Sequence, residues 1–258
     1  MFLKCPVPKR IAGRLIWTQR RFFRAESPER HIVDWLHEKL RLGDTFFDVG
    51  AHYGWIAVHA ADCVGHSGRV IAFEPSPALI EVLAFHKDIN RLTQLQIVPK
   101  AVSDTDSIAV PFFLVNEGLS VRNSLTTGSD DLPYLADVKN LRIEVPSISL
   151  DTFSLQTGLA PDLIKIDVEG AELLVLRGAA RVLDRFRPIL ILGVHPFWLA
   201  KPQTTTDIFD FLHQHGYTVS DEHVVNFDDT YLADYLCTPS SSIMVARSSS
   251  TPSRAAIR

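Results

Sequence analysis

The chain has 258 residues, of which 46% are hydrophobic and 22% are charged, and its formal net charge is -4. This length suits one large domain with a buried core, and the composition is that of an ordinary globular protein rather than a disordered or membrane-embedded chain. A nucleic-acid partner bound through overall charge is not expected, because neutralising phosphates needs a surplus of Lys and Arg. The three cysteines are widely spaced, which indicates reduced thiols and offers no zinc-ligand spacing.

The N-terminal residues 1–28 are predicted to be a basic arm. Residues 1–26 contain seven Lys and Arg residues against one acid, Glu26. This surplus could contact an anionic surface such as a membrane, although a solvated arm is the simpler interpretation. The Ser-rich residues 248–258 are predicted to be a disordered tail, which leaves 29–247 as the domain. Because the sequence has no run of about 18 apolar residues and no signal-peptide pattern, we expect a cytoplasmic protein without a transmembrane segment.

Within this domain, short apolar runs alternate with helical patterns. A first helix is predicted within 29–42 from its apolar spacing. The predicted strands are 45–49, 70–73, 95–98, 163–166, 189–192, 217–219 and 243–246, and the predicted helices between them are 55–64, 77–90, 171–183 and 206–215. Strands that are apolar throughout are buried on both faces, so the pattern predicts an α/β fold with a mostly parallel seven-stranded sheet and helices on both faces.

One segment, residues 109–150, departs from this alternation. Two runs of alternating apolar residues flank a polar loop at 116–139, which predicts an inserted hairpin or lid. Loops above a sheet edge commonly determine specificity, so Arg122, Asn123 and Ser124 in this loop are predicted to contact a substrate.

A turn with two glycines follows the first predicted strand, where residues 48–54 read Asp-Val-Gly-Ala-His-Tyr-Gly. Gly50 and Gly54 allow positive φ and close approach of a ligand, and the helix N terminus that follows favours a carboxylate. Asp48 is predicted to face a positively charged group of the same ligand. A dinucleotide motif would need glycine at the position of His52, so a nicotinamide-dependent oxidoreductase is disfavoured.

Polar residues also follow the second and third predicted strands. Glu74 comes directly after the second strand, at the place where nucleoside sites in α/β folds put a carboxylate on the ribose hydroxyls. Ser103 and Asp104 follow the third strand and could meet an adenine edge, or could equally form a plain turn. The glycine turn and Glu74 together favour a nucleoside ligand.

Several acids follow the fourth predicted strand, where residues 165–172 read Lys-Ile-Asp-Val-Glu-Gly-Ala-Glu. Asp167 lies at the strand end, and open α/β sheets bind ligands at that edge. Glu169 and Glu172 are candidates for the same site, although acids also stabilise a helix N terminus without any functional role.

These motifs resemble the FkbM family of methyltransferases. The resemblance is carried by Phe-Asp-Val-Gly-Ala at 47–51, Phe-Glu-Pro at 73–75, Ala-Val-Ser-Asp at 101–104 and Ile-Asp-Val-Glu-Gly-Ala-Glu at 166–172, of which the last is the most specific. It implies a Rossmann-like class I methyltransferase fold, S-adenosylmethionine as cofactor, and O-methylation of a sugar, polyketide or similar small molecule. The predicted cofactor-binding residues are Asp48, Gly50, His52, Gly54, Glu74, Ser103, Asp104 and Asp167, and the predicted substrate-binding residues are Arg122, Asn123, Ser124 and Glu169.

A hydroxyl acceptor would need help to lose its proton. His195, at the end of the fifth predicted strand, is the predicted base with Asp167 as its orienting acid, although a histidine that only caps the strand is an open alternative. The family usually has Asn at the position of His52 and commonly Glu near Gly193. The absent Glu leaves open a protein that binds S-adenosylmethionine without catalysis. No required metal is expected, because Asp167 and Glu169 supply few oxygen ligands.

Overall fold

The computed structural model describes residues 6–11, 14–19, 29–115, 123–125, 140–196, 198–199, 202–227 and 230–240. The strands are β1 (Pro6–Ile11), β2 (Arg14–Gln19), β3 (Thr45–Val49), β4 (Arg69–Phe73), β5 (Leu95–Val98), β6 (Ala101–Val102), β7 (Ser107–Val115), β8 (Asn140–Ile148), β9 (Leu163–Ile166), β10 (Ile189–Val194), β11 (Tyr217–Phe227) and β12 (Thr230–Pro239). The helices are α1 (Arg30–Lys39), α2 (Trp55–Val64), α3 (Pro77–Ile89), α4 (Leu150–Thr157), α5 (Glu172–Arg177), α6 (Ala180–Phe186) and α7 (Thr205–Gln214).

A seven-stranded sheet passes through the described part of the chain in the order β11-β12-β10-β9-β3-β4-β5. The five strands from β10 to β5 are parallel, while β12 is antiparallel to both of its neighbours. The predicted α/β class and mostly parallel sheet are therefore confirmed. Chain order reverses between β9 and β3, and in open α/β sheets a crevice opens at the carboxyl ends of the strands at such a point.

The central strands β3, β4, β9 and β10 are buried on both faces of this sheet. Successive residues point to opposite faces, so Phe46 packs with α1 and α2 while Phe47 packs with α4, and both are fully buried. This explains why the strands are apolar throughout, and it assigns each polar strand residue to one face or the other.

The predicted helix 171–183 is wrong in one respect, because the structure divides it into α5 and α6. The break falls at Gly178, where an added Cβ would lie 2.1 Å from the backbone oxygen of Ser103. The two helices thus change direction where the chain packs directly against the backbone that follows β6.

The structure differs from the sequence interpretation in one strand pair and in one further strand. β1 and β2, within the predicted basic arm, pair as an antiparallel hairpin, and the side chain of Asn90 hydrogen-bonds the backbone N–H and C=O of Trp17 at 2.9 Å each. The seventh sheet strand is β12, whereas the predicted strand 243–246 and the tail 248–258 lie outside the described residues. β12 carries polar residues among its apolar ones, so it lacks the nearly continuous apolar run of β4 and β10.

The segment 109–150 contains the predicted hairpin. β7 and β8 pair antiparallel, and β6 joins β8 in a separate sheet of order β6-β8-β7. Most of the loop 116–139 lies outside the described residues, so its function as a lid stays a prediction. Among the described helices, none has both the length and the apolar character that a bilayer crossing requires.

Candidate functional site

A cleft of about 500 Å³, partly open to solvent, lies at the carboxyl ends of β3, β4 and β9. Its position at these strand ends is that of the predicted crevice. The structure brings six of the predicted site residues to its wall, namely Gly50, His52, Glu74, Asn123, Asp167 and Glu169.

The glycine turn forms one wall of this cleft. Gly50 has φ 79°, and a Cβ added there would lie 1.9 Å from the backbone oxygen of Asp167, so only glycine fits. His52 has φ 52°, a left-handed conformation that Asn, Asp and His tolerate best. Gly54 instead lies behind the wall, where it precedes α2 and contacts Leu83. Its positive φ of 87° shapes the turn, and its contact with the cofactor stays a prediction.

Glu74 is the carboxylate at the centre of the cleft wall. Its side chain is buried, Oε2 accepts a hydrogen bond from the N–H of His52 at 2.8 Å, and Oε1 accepts one from the N–H of Ser76 at 2.8 Å. Burial raises the pKa of Glu74 to about 7, against the two backbone hydrogen bonds, which lower it. Each oxygen keeps a second lone pair that can accept from a ligand hydroxyl.

Asp48 does not line the cleft, although it was predicted to face the ligand. It lies on the α1 and α2 face of β3, opposite to the cleft residue Val49, and is fully buried. Burial raises the pKa of Asp48, and Lys165, whose Nζ is 3.7 Å from Asp48 Oδ1, opposes this shift. The alternation of side chains along β3 directs Asp48 away from the cleft, so it would not contact a ligand bound there directly.

Ser103 and Asp104 also lie away from the cleft. β6 carries the chain from the main sheet into the smaller sheet, so Lys100, Ala101 and Val102 form the wall after β5 instead. Ser103 donates a hydrogen bond to Asp104 Oδ1 at 3.2 Å, and its backbone packs against Gly178. The structure thus favours the plain-turn alternative for these two residues.

Asp167 connects the turn to a cluster of charged groups. Lys165 Nζ is 3.2 Å from Asp167 Oδ2 and donates to the backbone oxygen of Gly50 at 3.3 Å. Burial would raise the pKa of Asp167, but Lys165 and His195 outweigh it and the pKa is lowered. Asp167 is therefore ionised at neutral pH. The sequence interpretation gave Lys165 no function, although a lysine in an otherwise apolar buried strand was a signal.

His195 lies beside Asp167, as predicted, and contacts three carboxylates. Nδ1 is 2.7 Å from Glu172 Oε1, while Nε2 is 3.5 Å from Glu169 Oε2 and 3.6 Å from Asp167 Oδ1. Burial opposes protonation of the ring, but Glu169, Glu172 and Asp167 outweigh it and raise the pKa of His195 to about 10. Glu172, which the sequence left as a candidate without a defined function, is the partner that orients this ring.

The inserted hairpin reaches the same cluster through residues 123–125. Asn123 lines the cleft, and its Oδ1 accepts a hydrogen bond from the N–H of Val115 at 2.9 Å. The hydroxyl of Ser124 donates to the backbone oxygen of Glu169 at 2.7 Å. Arg122 lies outside the described residues. The hairpin is thereby attached to the loop that follows β9.

Comparison with known proteins gives a match in the same region. The model of the FkbM methyltransferase domain matches residues 48–219, more than half of the chain. The chain belongs to this family. Membership in the FkbM domain family implies S-adenosylmethionine as the methyl donor. A search of curated protein sequences finds no match.

Solved structures with a related fold include three methyltransferases. The FkbM methyltransferase of Methylobacillus flagellatus KT has 16% identity and a TM-score of 0.46, and covers 80% of this chain and 51% of its own. An rRNA methylase of Streptococcus thermophilus has 10% identity and a TM-score of 0.51, and the match covers 85% of this chain and 100% of the methylase. A precorrin-6y C5,15-methyltransferase of Geobacter metallireducens has 15% identity and a TM-score of 0.49, and the match covers 88% of this chain and 94% of that enzyme. The chain spans about half the length of the FkbM structure, and identities this low indicate a shared fold alone.

The residues of the cleft suit S-adenosylmethionine. The missing Cβ at Gly50 lets the turn pack directly on the backbone of Asp167, so that Gly50 and Asp167 both line the cleft. Glu74 offers a buried carboxylate for two vicinal hydroxyls. Asp167 lines the cleft beside the turn with a lowered pKa, so its negative charge favours a sulfonium cation over an anionic dinucleotide. This arrangement agrees with the family assignment.

Proposed function

We propose that this chain is an S-adenosylmethionine-dependent methyltransferase that methylates a hydroxyl oxygen of a small molecule, sugar or glycan. The observation that carries the proposal is the junction of two features at one cleft wall. The glycine turn and Glu74 suit the cofactor, and the cluster of Asp167, Glu169 and His195 adjoins them. Bound S-adenosylmethionine would supply an electrophilic methyl group on a sulfonium.

The protein has two tasks in such a transfer. The first is to hold the cofactor, for which Glu74 would accept hydrogen bonds from the ribose and the turn at Gly50 and His52 would approach the cofactor closely. The second is to align the acceptor oxygen, because in-line displacement from an activated donor depends mainly on position. The two tasks fall to neighbouring strand ends.

The acceptor hydroxyl needs a group that takes its proton as the new carbon–oxygen bond forms. Asp167 is ionised and on the cleft wall, so it can accept a hydrogen bond from the acceptor hydroxyl and receive its proton as the methyl group is transferred. His195 is the base expected from the sequence, but the three carboxylates around it raise its pKa to about 10, so it already holds a proton at neutral pH. We therefore assign it the positioning of Asp167 and Glu169 in that state.

The alternative of a non-catalytic binding protein is weakened by Asp234. A binding protein without catalysis is considered because this chain has Gly193 where the resemblance implies Glu. Asp234 pairs with Gly193 across β10 and β12, and its Oδ1 lies 3.2 Å from the point where a Cβ of residue 193 would be. A carboxylate from the neighbouring strand thus occupies that region, and it is held by His31 Nε2 at 2.7 Å from its other oxygen.

The acceptor class follows from the cleft and the overall charge. Asn123, Glu169 and Lys100 provide polar groups along the wall, which suits a hydroxylated acceptor. The net charge of -4 disfavours a nucleic acid. The fold by itself does not decide this point, because the related structure from S. thermophilus is named an rRNA methylase.

Two measurements test the proposal. Isothermal titration with S-adenosylmethionine should show binding to the intact chain, and absence of binding would refute both the catalytic proposal and its non-catalytic alternative. Incubation with isotope-labelled donor and host extract, followed by mass spectrometry, should yield a labelled small molecule with the methyl group on oxygen. Label on nitrogen, on carbon or in RNA would contradict the proposed acceptor.

A further inference from the structure

A set of metal-ligand atoms converges where the cofactor cleft meets His195. Asp167 Oδ1, Glu169 Oε2 and His195 Nε2 all lie within 4.8 Å of one another. The two oxygens are 3.6 and 3.5 Å from Nε2, which is longer than a good hydrogen bond. Two ligands bound to one tetrahedral ion at about 2.1 Å would be about 3.4 Å apart. The two distances from Nε2 are therefore close to the spacing of ligands around a shared ion.

We propose that Asp167, Glu169 and His195 bind a divalent transition-metal cation that holds the acceptor hydroxyl. This inference deepens the proposed methyl transfer and rests on it for the identity of the acceptor. One imidazole with two carboxylates suits Mn²⁺, Fe²⁺ or Zn²⁺, whereas Mg²⁺ and Ca²⁺ prefer oxygen ligands alone. This proposed metal site differs from the expectation from the sequence that no metal is required.

The orientation of His195 supports a ligand role for Nε2. Glu172 Oε1 accepts a hydrogen bond from the N–H of Gly170 at 3.0 Å and lies 2.7 Å from His195 Nδ1. The Glu172 oxygen that accepts from Gly170 is also placed to accept from Nδ1, an arrangement that leaves Nε2 facing the other two carboxylates. Trp198 stacks on the same ring with 6.0 Å between centroids. A buried carboxylate behind a histidine is the usual support for a metal-binding imidazole.

The neighbouring groups leave room for an ion and for a further ligand. Lys165 pairs with Asp167 Oδ2, so Oδ1 stays directed at His195. A Cβ at Gly193 would lie 3.3 Å from Asp167 Oδ1 and 3.3 Å from His195 Cε1, so any side chain there would crowd the site. Asp167 and Glu169 also line the cleft, so the remaining coordination positions would face the acceptor. A bound hydroxyl would become more acidic there.

Metal binding can be measured without activity. The full chain is freed of metal by a chelator and titrated with MnCl₂ and with ZnCl₂ by calorimetry, and bound metal is counted by mass spectrometry after dialysis. We expect one ion per chain, and at least about tenfold weaker binding in Glu169→Gln and in His195→Gln. His215→Gln is the matched control, because His215 forms a comparable pair with Asp184 at 3.1 Å away from the cleft, and it should bind as the parent does.

Absence of binding, or equal binding by the parent and Glu169→Gln, would overturn the metal site. Glu169 is partly exposed, so this variant keeps the test valid even if His195→Gln fails to fold. Parallel titration with S-adenosylmethionine separates the two proposals. Cofactor binding without metal binding would refute the cation alone, and metal binding without cofactor binding would refute the proposed function and leave the ion site.

Discussion

The two halves of the cleft are built by different kinds of interaction. Around β3 and β4, the cofactor half is held by the backbone, since Glu74 accepts from two main-chain N–H groups and Gly50 packs on a main-chain oxygen. Around β9 and β10, the half proposed to hold the acceptor is held by side chains, as Lys165, Asp167 and His195 form one connected set of ion pairs. The first half depends on the path of the chain and the second on charge balance.

This difference has consequences for how each half responds to change. Backbone contacts are specified by local conformation, so a substitution that disturbs them should damage the fold around the cofactor. Coupled charges are specified by one another, so removing one member should change protonation and alignment while the fold persists. The variants below test this contrast, beginning with the largest expected effect.

Gly50→Ala should destabilise the cofactor half most. Its φ of 79° costs an alanine about 1–2 kcal/mol, and the added Cβ would clash with the oxygen of Asp167 at 1.9 Å. We expect a loss of at least about 2 kcal/mol in the free energy of unfolding by urea. Gly158→Ala is the control, since φ is 72° with nothing within 4 Å of its Cβ, and it should lose only about 1 kcal/mol. Equal losses would show that the turn is not packed against β9.

His195→Ala should affect turnover more than binding. Without the ring, Asp167 and Glu169 lose the group that positions them, so turnover should fall by about a hundredfold or more while cofactor affinity changes little. Steady-state kinetics and calorimetry on the same preparation measure the two effects. His215→Ala, whose parent side chain pairs with Asp184, should behave as the parent. Unchanged turnover in His195→Ala would remove this residue from catalysis.

The sequence predicted the fold around the proposed cofactor half because the elements of that half are consecutive in the chain. Thr45–Val49, the glycine turn and Trp55–Val64 are consecutive, and their apolar runs and glycines specify the strand, turn and helix directly. Glu74 was found by the same logic, since it follows the next strand. Ser103 was misplaced because the sequence gives no sign that β6 leaves the main sheet.

The acceptor half was predicted only in part because its contacts are made between distant segments. Asp167 and His195 were placed together from the expected order of neighbouring strands, and the structure shows that neighbourhood. The contacts of Glu172 with His195 and of Asp234 with the region of Gly193 depend on side-chain direction and on β12, which carries no continuous apolar run. Strand order was thus predictable, and the charge network within it was not.

Glu74→Ala should weaken cofactor binding while leaving the acceptor half intact. Hydrogen bonds from ribose hydroxyls to a carboxylate are worth about 1.5–3 kcal/mol, which corresponds to at least about tenfold in the dissociation constant. Calorimetry with S-adenosylmethionine measures the change. Glu81→Ala, an exposed glutamate on α3, is the control and should bind normally. Unchanged affinity in Glu74→Ala would place the ribose elsewhere.

The pH dependence of cofactor affinity is the smallest and sharpest test of Glu74. Burial raises its pKa from 4.5 to about 7, so the folded protein holds this proton more tightly than the unfolded chain, and the contribution of Glu74 to stability falls as pH rises from about 4.5 through 7. The ionised form is the better acceptor for ribose hydroxyls, so cofactor affinity should rise across the same pKa, by up to about tenfold between about pH 6 and pH 8.

Glu29 also has a pKa of about 7, raised by its burial, so the comparison must be with Glu74→Gln, in which only the Glu74 contribution is lost. Calorimetry at several pH values should give a rising affinity for the parent and a flatter profile for Glu74→Gln. Parallel profiles would mean that Glu74 keeps one protonation state when the cofactor binds, and that the acceptor half controls the pH dependence.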